Sequence, residues 1–368
     1  MRAGPGCGRH YRAALCAELK QPLAIEEVAS RPVRPHEVRV DVHFCGVNFA
    51  DILVCRGQNG GDRVIGVSGF NGMAEECIID HKTLWQIPEG VPLREAATLP
   101  VSYVTAILAL EHRACTRPGE TVLVTAAAGA TGLAVIDVAT NVLQAKLRRQ
   151  EELVSSGLEA LNVRFLWNVQ LGYPEGTKIH RFGDNWIALE FLLVAPLLSR
   201  IKFFWGSTWV IAAAGSDEKC RLAMRKGAQS IVNYSQGSLK EAVRKLVGSD
   251  GVNVVIDAVG GDVFLEALRS LAWEGRIVVV GFAGGTIASV PANLLLLKNV
   301  SAMGLYWGRY KEQNFPVFSR ILSSALQYCQ RGRIQPHIGA VFKLEEVNDA
   351  FLHVIQRKSM GKVLISLK

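Results

Sequence analysis

The chain has 368 residues, of which 49% are hydrophobic and 20% charged, with 35 glycines against 13 prolines. That balance excludes a disordered, fibrous or small stapled protein and leaves room for two domains of about 100–200 residues each. The net charge of +8 admits a polyanion or a phosphorylated cofactor as partner, but no lysine–arginine block marks a polyanion-binding tail.

Residues 1–10 carry Arg2 and Arg9, Arg12 follows, and no acid precedes Glu18, which resembles a transit segment. A targeting or disordered segment is expected there, with a mitochondrial or cytoplasmic location. The eight cysteines (Cys7, Cys16, Cys45, Cys55, Cys77, Cys115, Cys220, Cys329) form no C-x-x-C pair and read as reduced intracellular thiols. Residues 11–102 look mostly β. Glu37–His43 alternates polar and apolar residues, and Met73–Ile79 is a second candidate strand.

From Gly119 the pattern changes to short apolar runs, each followed by an amphipathic helix, as in βαβ units around a parallel sheet. The runs are Thr121–Thr125, Val210–Ala214, Ser230–Asn233, Val252–Asp257 and Arg276–Gly281. After Gly332 come a helix around Val347–Gln356 and a final strand in Gly361–Leu367, expected to return to the first domain. The fold class is α/β.

The strongest motif runs from Thr121 to Ile136, a buried strand passing through small residues into a helix. Such a turn lets a diphosphate approach backbone N–H groups at a helix N-terminus; it also serves simply as a tight, closely packed connection. In a dinucleotide fold the second strand ends about 20 residues beyond the turn, yet Gly132 and Ser216 are 84 apart. Removing residues 147–209 leaves 21, so this segment reads as an insertion. It holds four of the seven tryptophans, and its apolar stretch Ile187–Leu198 contains Glu190 and Pro196 and falls short of the roughly 20 residues of a membrane span.

With the insertion set aside, the turn, the segment Cys45-Gly-Val-Asn-Phe-Ala-Asp and the ending Gly361-Lys-Val-Leu together resemble the zinc-independent quinone oxidoreductases of the medium-chain dehydrogenase/reductase superfamily. The resemblance covers residues 11–58, 62–146 and 210–368. It implies a GroES-like β-barrel domain (11–104 and 333–368) and a Rossmann doubly wound parallel-sheet domain (105–332) that carries the insertion 147–209. Gly119-Glu120, Leu123, Ala127-Ala128 and Gly129 match the family signature, whereas Ala130 replaces a usual glycine and Asp137 a usual glutamine. Near residues 58–61 the chain is roughly two dozen residues shorter than the family pattern, about two strands of ordinary length. That shortening is expected to leave unpaired strand edges and to remove one wall of the substrate cleft.

The resemblance implies NADPH as cofactor. Ala128, Gly129, Ala130, Thr131 and Gly132 would line its diphosphate, and Ser216, Lys219 and Tyr234 its 2′-phosphate, with no acid at the tip of the second strand. Ser216 also reads as the cap of a helix whose first turn holds Asp217 and Glu218. Thr105, Gly281, Phe282 and Lys362 are further implied cofactor contacts, each with an ordinary structural alternative. Asn48 and Asp51 are the implied catalytic pair, equally readable as a structural turn. No metal is expected, because Asn48 stands where superfamily alcohol dehydrogenases have a cysteine ligand and their four-cysteine lobe is missing. The implied reaction is hydride transfer from nicotinamide to a quinone or activated alkene by a homodimer without a membrane span. The alternatives are a catalytically impaired NADPH-binding or RNA-binding relative, or an enoyl reductase for which Tyr103 is the candidate proton donor.

Overall fold

The computed structural model describes residues 10–15, 21–47, 52–56, 63–67, 72–117, 119–143 and 208–368. Strands β1 (His10–Leu15) and β2 (Ala24–Ala29) pair with each other. β3 (Glu37–Gly46), β4 (Ile52–Arg56), β5 (Arg63–Gly66), β6 (Glu76–Asp80) and β7 (Leu84–Gln86) build a second sheet. Two strands from the far end of the chain, β14 (Ile338–Lys343) and β15 (Lys362–Ser366), complete it in the order β14-β15-β3-β4-β5-β7, and β6 pairs with β3. β15 lies antiparallel to β3, with Leu364 opposite Gly46, so the tail does return to the first sheet.

The alternation in β3 buries Val40 and Val42 while Arg39, Asp41 and His43 stay half-exposed. Its pairing with β4 then shifts register between Val42 and Phe44, and Cys45 becomes the next buried side chain. A bulge passes the inward face from even to odd positions. β4 also pairs with β5, with Arg56 opposite Arg63. The expectation of unpaired edges at the shortening is thus not met at these strands: they hydrogen-bond to each other and so satisfy their own backbone groups. Residues 57–62, where the shortening falls, lie outside the described residues, as do residues 1–9 of the expected targeting segment.

The second half is a six-stranded sheet of β8 (Thr121–Val124), β9 (Trp209–Ala214), β10 (Ser230–Asn233), β11 (Val252–Asp257), β12 (Leu271–Val279) and β13 (Ser301–Gly304). All neighbours are parallel, in the order β10-β9-β8-β11-β12-β13. This is the 3-2-1-4-5-6 order of a doubly wound fold, reversing between β8 and β11. β9 begins at Trp209, one residue earlier than expected and inside the range read as an insertion. Trp209 pairs with Thr121, and its indole N–H donates to Ser230 Oγ at 3.2 Å. Residues 147–207 of that range are not among the described residues. β12 starts at Leu271 rather than Arg276, because its register against β11 slips between Val252 and Val254 and Glu274 takes a left-handed φ of 58°. Such an irregular start carries no apolar alternation to read.

Helices Leu93–Arg113, Ala130–Leu143 and Phe315–Gln330 cover one face of the parallel sheet, and Leu239–Val247 with Gly261–Arg269 the other. Leu93–Arg113 is long and apolar enough to cross a membrane, but 78% of its most apolar window is buried inside the protein, as a core helix is. Tyr103 on this helix donates its hydroxyl to Asp137 Oδ2 at 2.6 Å. Asp137 also accepts from Gln335 N and Asn141 Nδ2, both at 2.8 Å. Three donors spread over two oxygens suit a carboxylate, whereas a glutamine offers one acceptor oxygen. Among the described residues Cys115, Cys220 and Cys329 are free thiols.

At the amino ends of the strands Glu120 grips Arg276 with both oxygens, at 2.6 and 2.8 Å, while Arg276 also donates to Ala114 O. The side chains are only 13% and 17% exposed, so the pair locks the end of helix Leu93–Arg113 to β8 and β12 in a partly desolvated setting. Glu120→Ala leaves the guanidinium without its carboxylate and is expected to lower unfolding stability by about 1–3 kcal/mol, measured by urea denaturation. An unchanged midpoint would show that the pair contributes nothing.

Candidate functional site

The turn after β8 is built on close backbone contacts. Ala126 adopts φ 46°, and Gly129 N donates back to Ala126 O at 2.8 Å. A Cβ on Gly132 would stand 2.4 Å from Ala126 O and 2.8 Å from Ala127 Cα, so only glycine allows the helix to start this close to the strand. Gly129 caps the helix, and Leu133 N is the first group to bond back, to Gly129 O. The N–H groups of Ala130, Thr131 and Gly132 therefore remain as the unsatisfied donors of a helix N-terminus, where the macrodipole favours an anion. Ala128 is buried, and Gly129, Ala130 and Thr131 are half-exposed, so the extra methyl of Ala130 is accommodated at the first helical position.

Two further loops close over this turn. Thr125 Oγ1 donates to Asp257 Oδ1 at 2.6 Å across the point where the strand order reverses, and accepts from Ala258 N at 3.1 Å. The other Asp257 oxygen accepts from Gly260 N at 3.0 Å. Burial raises the Asp257 carboxyl above its usual range, against these hydrogen bonds, which favour the ionised form. The loop after β12 is joined to the same segment by Val280 N to Asp257 O, Ala283 N to Ala258 O and Gly284 N to Val259 O. This sets Gly281 and the 47% exposed Phe282 beside the loop after β11, with Phe282 Cδ1 3.2 Å from where a Cβ on Gly260 would lie.

The tail reaches the turn as well. Gly361 N donates to Ala128 O at 2.8 Å, and Gly361 bridges to Gly129. Gly361 has φ 90°, and a Cβ there would sit 2.6 Å from both His337 Cδ2 and His337 O. Lys362 follows with only 3% exposure.

A second corner forms at the end of β9. Ser216 caps helix Asp217–Arg225, its Oγ accepting from Lys219 N at 3.4 Å. Lys219 Nζ donates to Arg357 O at 2.6 Å. Arg357, in a left-handed conformation at φ 58°, donates through its guanidinium to Gly284 O at 3.1 Å. The Tyr234 ring lies 3.4 Å from where a Cβ on Gly215 would be. Burial raises the Tyr234 hydroxyl above its ordinary pKa while the Arg357 charge pulls it down. Asp217, the acid nearest the strand tip, is turned to Asn233 Nδ2 at 2.6 Å and Gln236 Nε2 at 3.1 Å. One hydroxyl, one phenol and two cations thus share a corner in which the neighbouring acid is already bound by amides.

Thr105 is 4% exposed, and its Oγ1 is buried without a hydrogen-bond partner, as is Ser102 Oγ three residues before it. A buried orphan hydroxyl is destabilising until something fills it, and it fits a polar group brought in with a ligand. Asn48 and Asp51 lie outside the described residues. Tyr103, the candidate proton donor, is 3% exposed and committed to Asp137. Burial first, then that charge and hydrogen bond, hold its pKa well above the ordinary value.

Sequence reasoning missed Asp257 and Arg357. An acid closing a buried apolar run just before Gly260-Gly261 is a readable signal for the first. Nothing local marks Arg357, which meets Lys219 across 138 residues of sequence.

Comparison with known proteins agrees with this architecture. A family model described as zinc-binding dehydrogenase matches residues 203–324. Quinone oxidoreductase-like protein 2 of Bos taurus is 65% identical over 395 residues, covering 100% of this chain and 95% of the relative. A homolog of that protein in Nematostella vectensis is 35% identical over 392 residues, covering 98% and 90%. Among solved structures, the quinone oxidoreductase from Thermus thermophilus, also determined in complex with NADPH, superposes with a TM-score of 0.71 at 25% identity, covering 97% of this chain and 100% of that one. The fold, the glycine-bearing turn and these relatives together establish that the chain belongs to the quinone oxidoreductase-like proteins of the medium-chain dehydrogenase/reductase superfamily.

Proposed function

We propose that the protein is an NADPH-dependent reductase that delivers hydride to a quinone. The observation that carries this reading is the corner of Ser216, Lys219, Tyr234 and Arg357, with Asp217 held away by Asn233 and Gln236. A 2′-phosphate needs donors and a 2′-hydroxyl needs an acceptor, and this corner supplies donors. NADPH, when bound, supplies the hydride. The N–H groups of Ala130, Thr131 and Gly132 hold its diphosphate, Thr105 Oγ1 meets the nicotinamide end, and the loops at Gly260 and Phe282 shield the site from water.

An alkene acceptor needs a proton at carbon in the same reaction, and the Tyr103 hydroxyl is spent on Asp137. A reduced quinone oxygen takes its proton from water, which favours the quinone over the activated alkene. We propose Asn48 and Asp51 as the catalytic pair, an asparagine amide being a donor suited to a carbonyl that gains negative charge. An amide is a poor zinc ligand, so the proposed chemistry runs without metal.

The same reading proposes a homodimer formed at β13. Among the described residues β13 pairs on one side only, with β12, and Leu296 and Leu297 of the neighbouring helix Ala292–Lys298 are 77% and 71% exposed. An open strand edge beside exposed leucines is a surface that a second copy covers.

Titration followed by nucleotide fluorescence is expected to show tighter binding of NADPH than NADH. Lys219→Gln and Arg357→Gln should each weaken NADPH by about tenfold while leaving NADH unchanged; equal affinity of the unaltered chain for the two nucleotides would overturn the assignment. Thr105→Val removes an orphan hydroxyl, so it should raise the melting temperature of the free chain, equivalent to about 1 kcal/mol, while weakening NADPH. Light scattering after gel filtration should give the mass of two chains, reduced to one in the Leu296→Glu/Leu297→Glu variant; a single-chain mass before mutation would exclude the dimer.

A further inference from the structure

A cavity of about 470 Å³ lies between helices Ala130–Leu143 and Asp217–Arg225 and the segment that follows helix Phe315–Gln330. Its walls bring together Arg225, Lys226 and Arg333 with Asp137, Asn141 and Gln335. The volume is in the range of small-molecule sites, about 300–1,000 Å³. It is not part of the cofactor corner. Ser216 stands at the opposite end of helix Asp217–Arg225, nine residues and so about 13 Å away at 1.5 Å per residue.

Among the described residues the charge in this cavity does not balance: Asp137 is the only acid among the described lining residues, and its oxygens already take the Tyr103 hydroxyl, the Gln335 N–H and the Asn141 amide. Among the described residues, none of Arg225, Lys226 and Arg333 has an ion pair or a side-chain hydrogen bond. Their field reaches His337, whose pKa is lowered by burial and then by Lys226 and Arg225. Cations at the ends of helices offset the carbonyl dipoles, but that effect does not require three of them around one hollow. Two guanidinium forks and an ammonium lining one cavity suit the oxygens of a phosphate group.

We propose that this cavity is a second anion site, distinct from the cofactor cleft, that takes a small molecule carrying a phosphate or diphosphate group. Its occupant lies against the segment Gln335–His337, which adjoins Gly361 and through it the Ala128 carbonyl of the diphosphate turn.

The test is calorimetric titration of the full chain with inorganic pyrophosphate at low ionic strength, in variants that separate the two regions. Lys219→Gln/Arg357→Gln is expected to retain a saturable pyrophosphate site. Adding Lys226→Gln and Arg333→Gln to it should weaken that site at least about tenfold, as loss of charge-assisted contacts does. Arg333→Lys, which keeps the charge and loses the fork, should fall between the two, and circular dichroism checks that each variant is folded. Loss of binding in Lys219→Gln/Arg357→Gln alone would place the ion in the cofactor corner and overturn the proposal. Binding indifferent to Lys226 and Arg333 would place the ion at the diphosphate turn of Ala130–Gly132 or mean an adventitious ion only, and either would overturn the proposal. A readout free of mutation is the imidazole resonance of His337: its pKa should rise when pyrophosphate offsets the neighbouring cations, and a pKa that stays put at saturation would also overturn the site.

Discussion

The hydrogen bond from Thr125 to Asp257 joins the carboxyl ends of β8 and β11, where the sheet changes direction and its two halves part. A doubly wound sheet opens a crevice at that point, and a crevice holds its shape only if something ties its two walls. Here a fully buried carboxylate does so. It receives a hydroxyl from one strand and the N–H of Gly260 from the loop of the other, and Thr125 in turn receives Ala258 N. The loop after β12 is then zipped onto the same segment through three backbone hydrogen bonds. The position of Phe282, the course of Gly284 and the anchor for Arg357 all follow from that clasp.

The first sheet is subordinate to this arrangement. Its own core of Val40, Val42, Cys45, Val363 and Ile365 is separate, yet its final strand begins at the residue after Gly361, which is bonded into the diphosphate turn. Cofactor turn and β-domain therefore meet at one glycine, whose left-handed backbone and closeness to His337 exclude any side chain.

Much of this was legible in the residues because it rests on local rules. The run Thr121–Val124 followed by small residues is a strand and a tight turn wherever it occurs, and Ser216 ahead of Asp217 and Glu218 is a helix start. The parallel strands were readable because strands buried on both faces are continuously apolar. What escaped depends on distance or irregularity. The slipped register of β12 hides Leu271–Gly275, Trp209 reads as part of a foreign segment until its partner Thr121 is known, and the bond from Tyr103 to Asp137 spans 34 residues. The second cationic residue of the cofactor corner, Arg357, is visible only once the chain has folded back on itself.

That fold-back also orders events in time. During synthesis β8 and its turn emerge early, but the hydrogen bond to the Ala128 carbonyl, the β15–β3 pairing and the Arg357 corner wait for residues 357–366. Domains fold as they leave the ribosome, N-terminal parts first. This chain instead holds two incomplete halves until β15 has been made, so the cofactor cleft matures only after the strand that closes it has been synthesised.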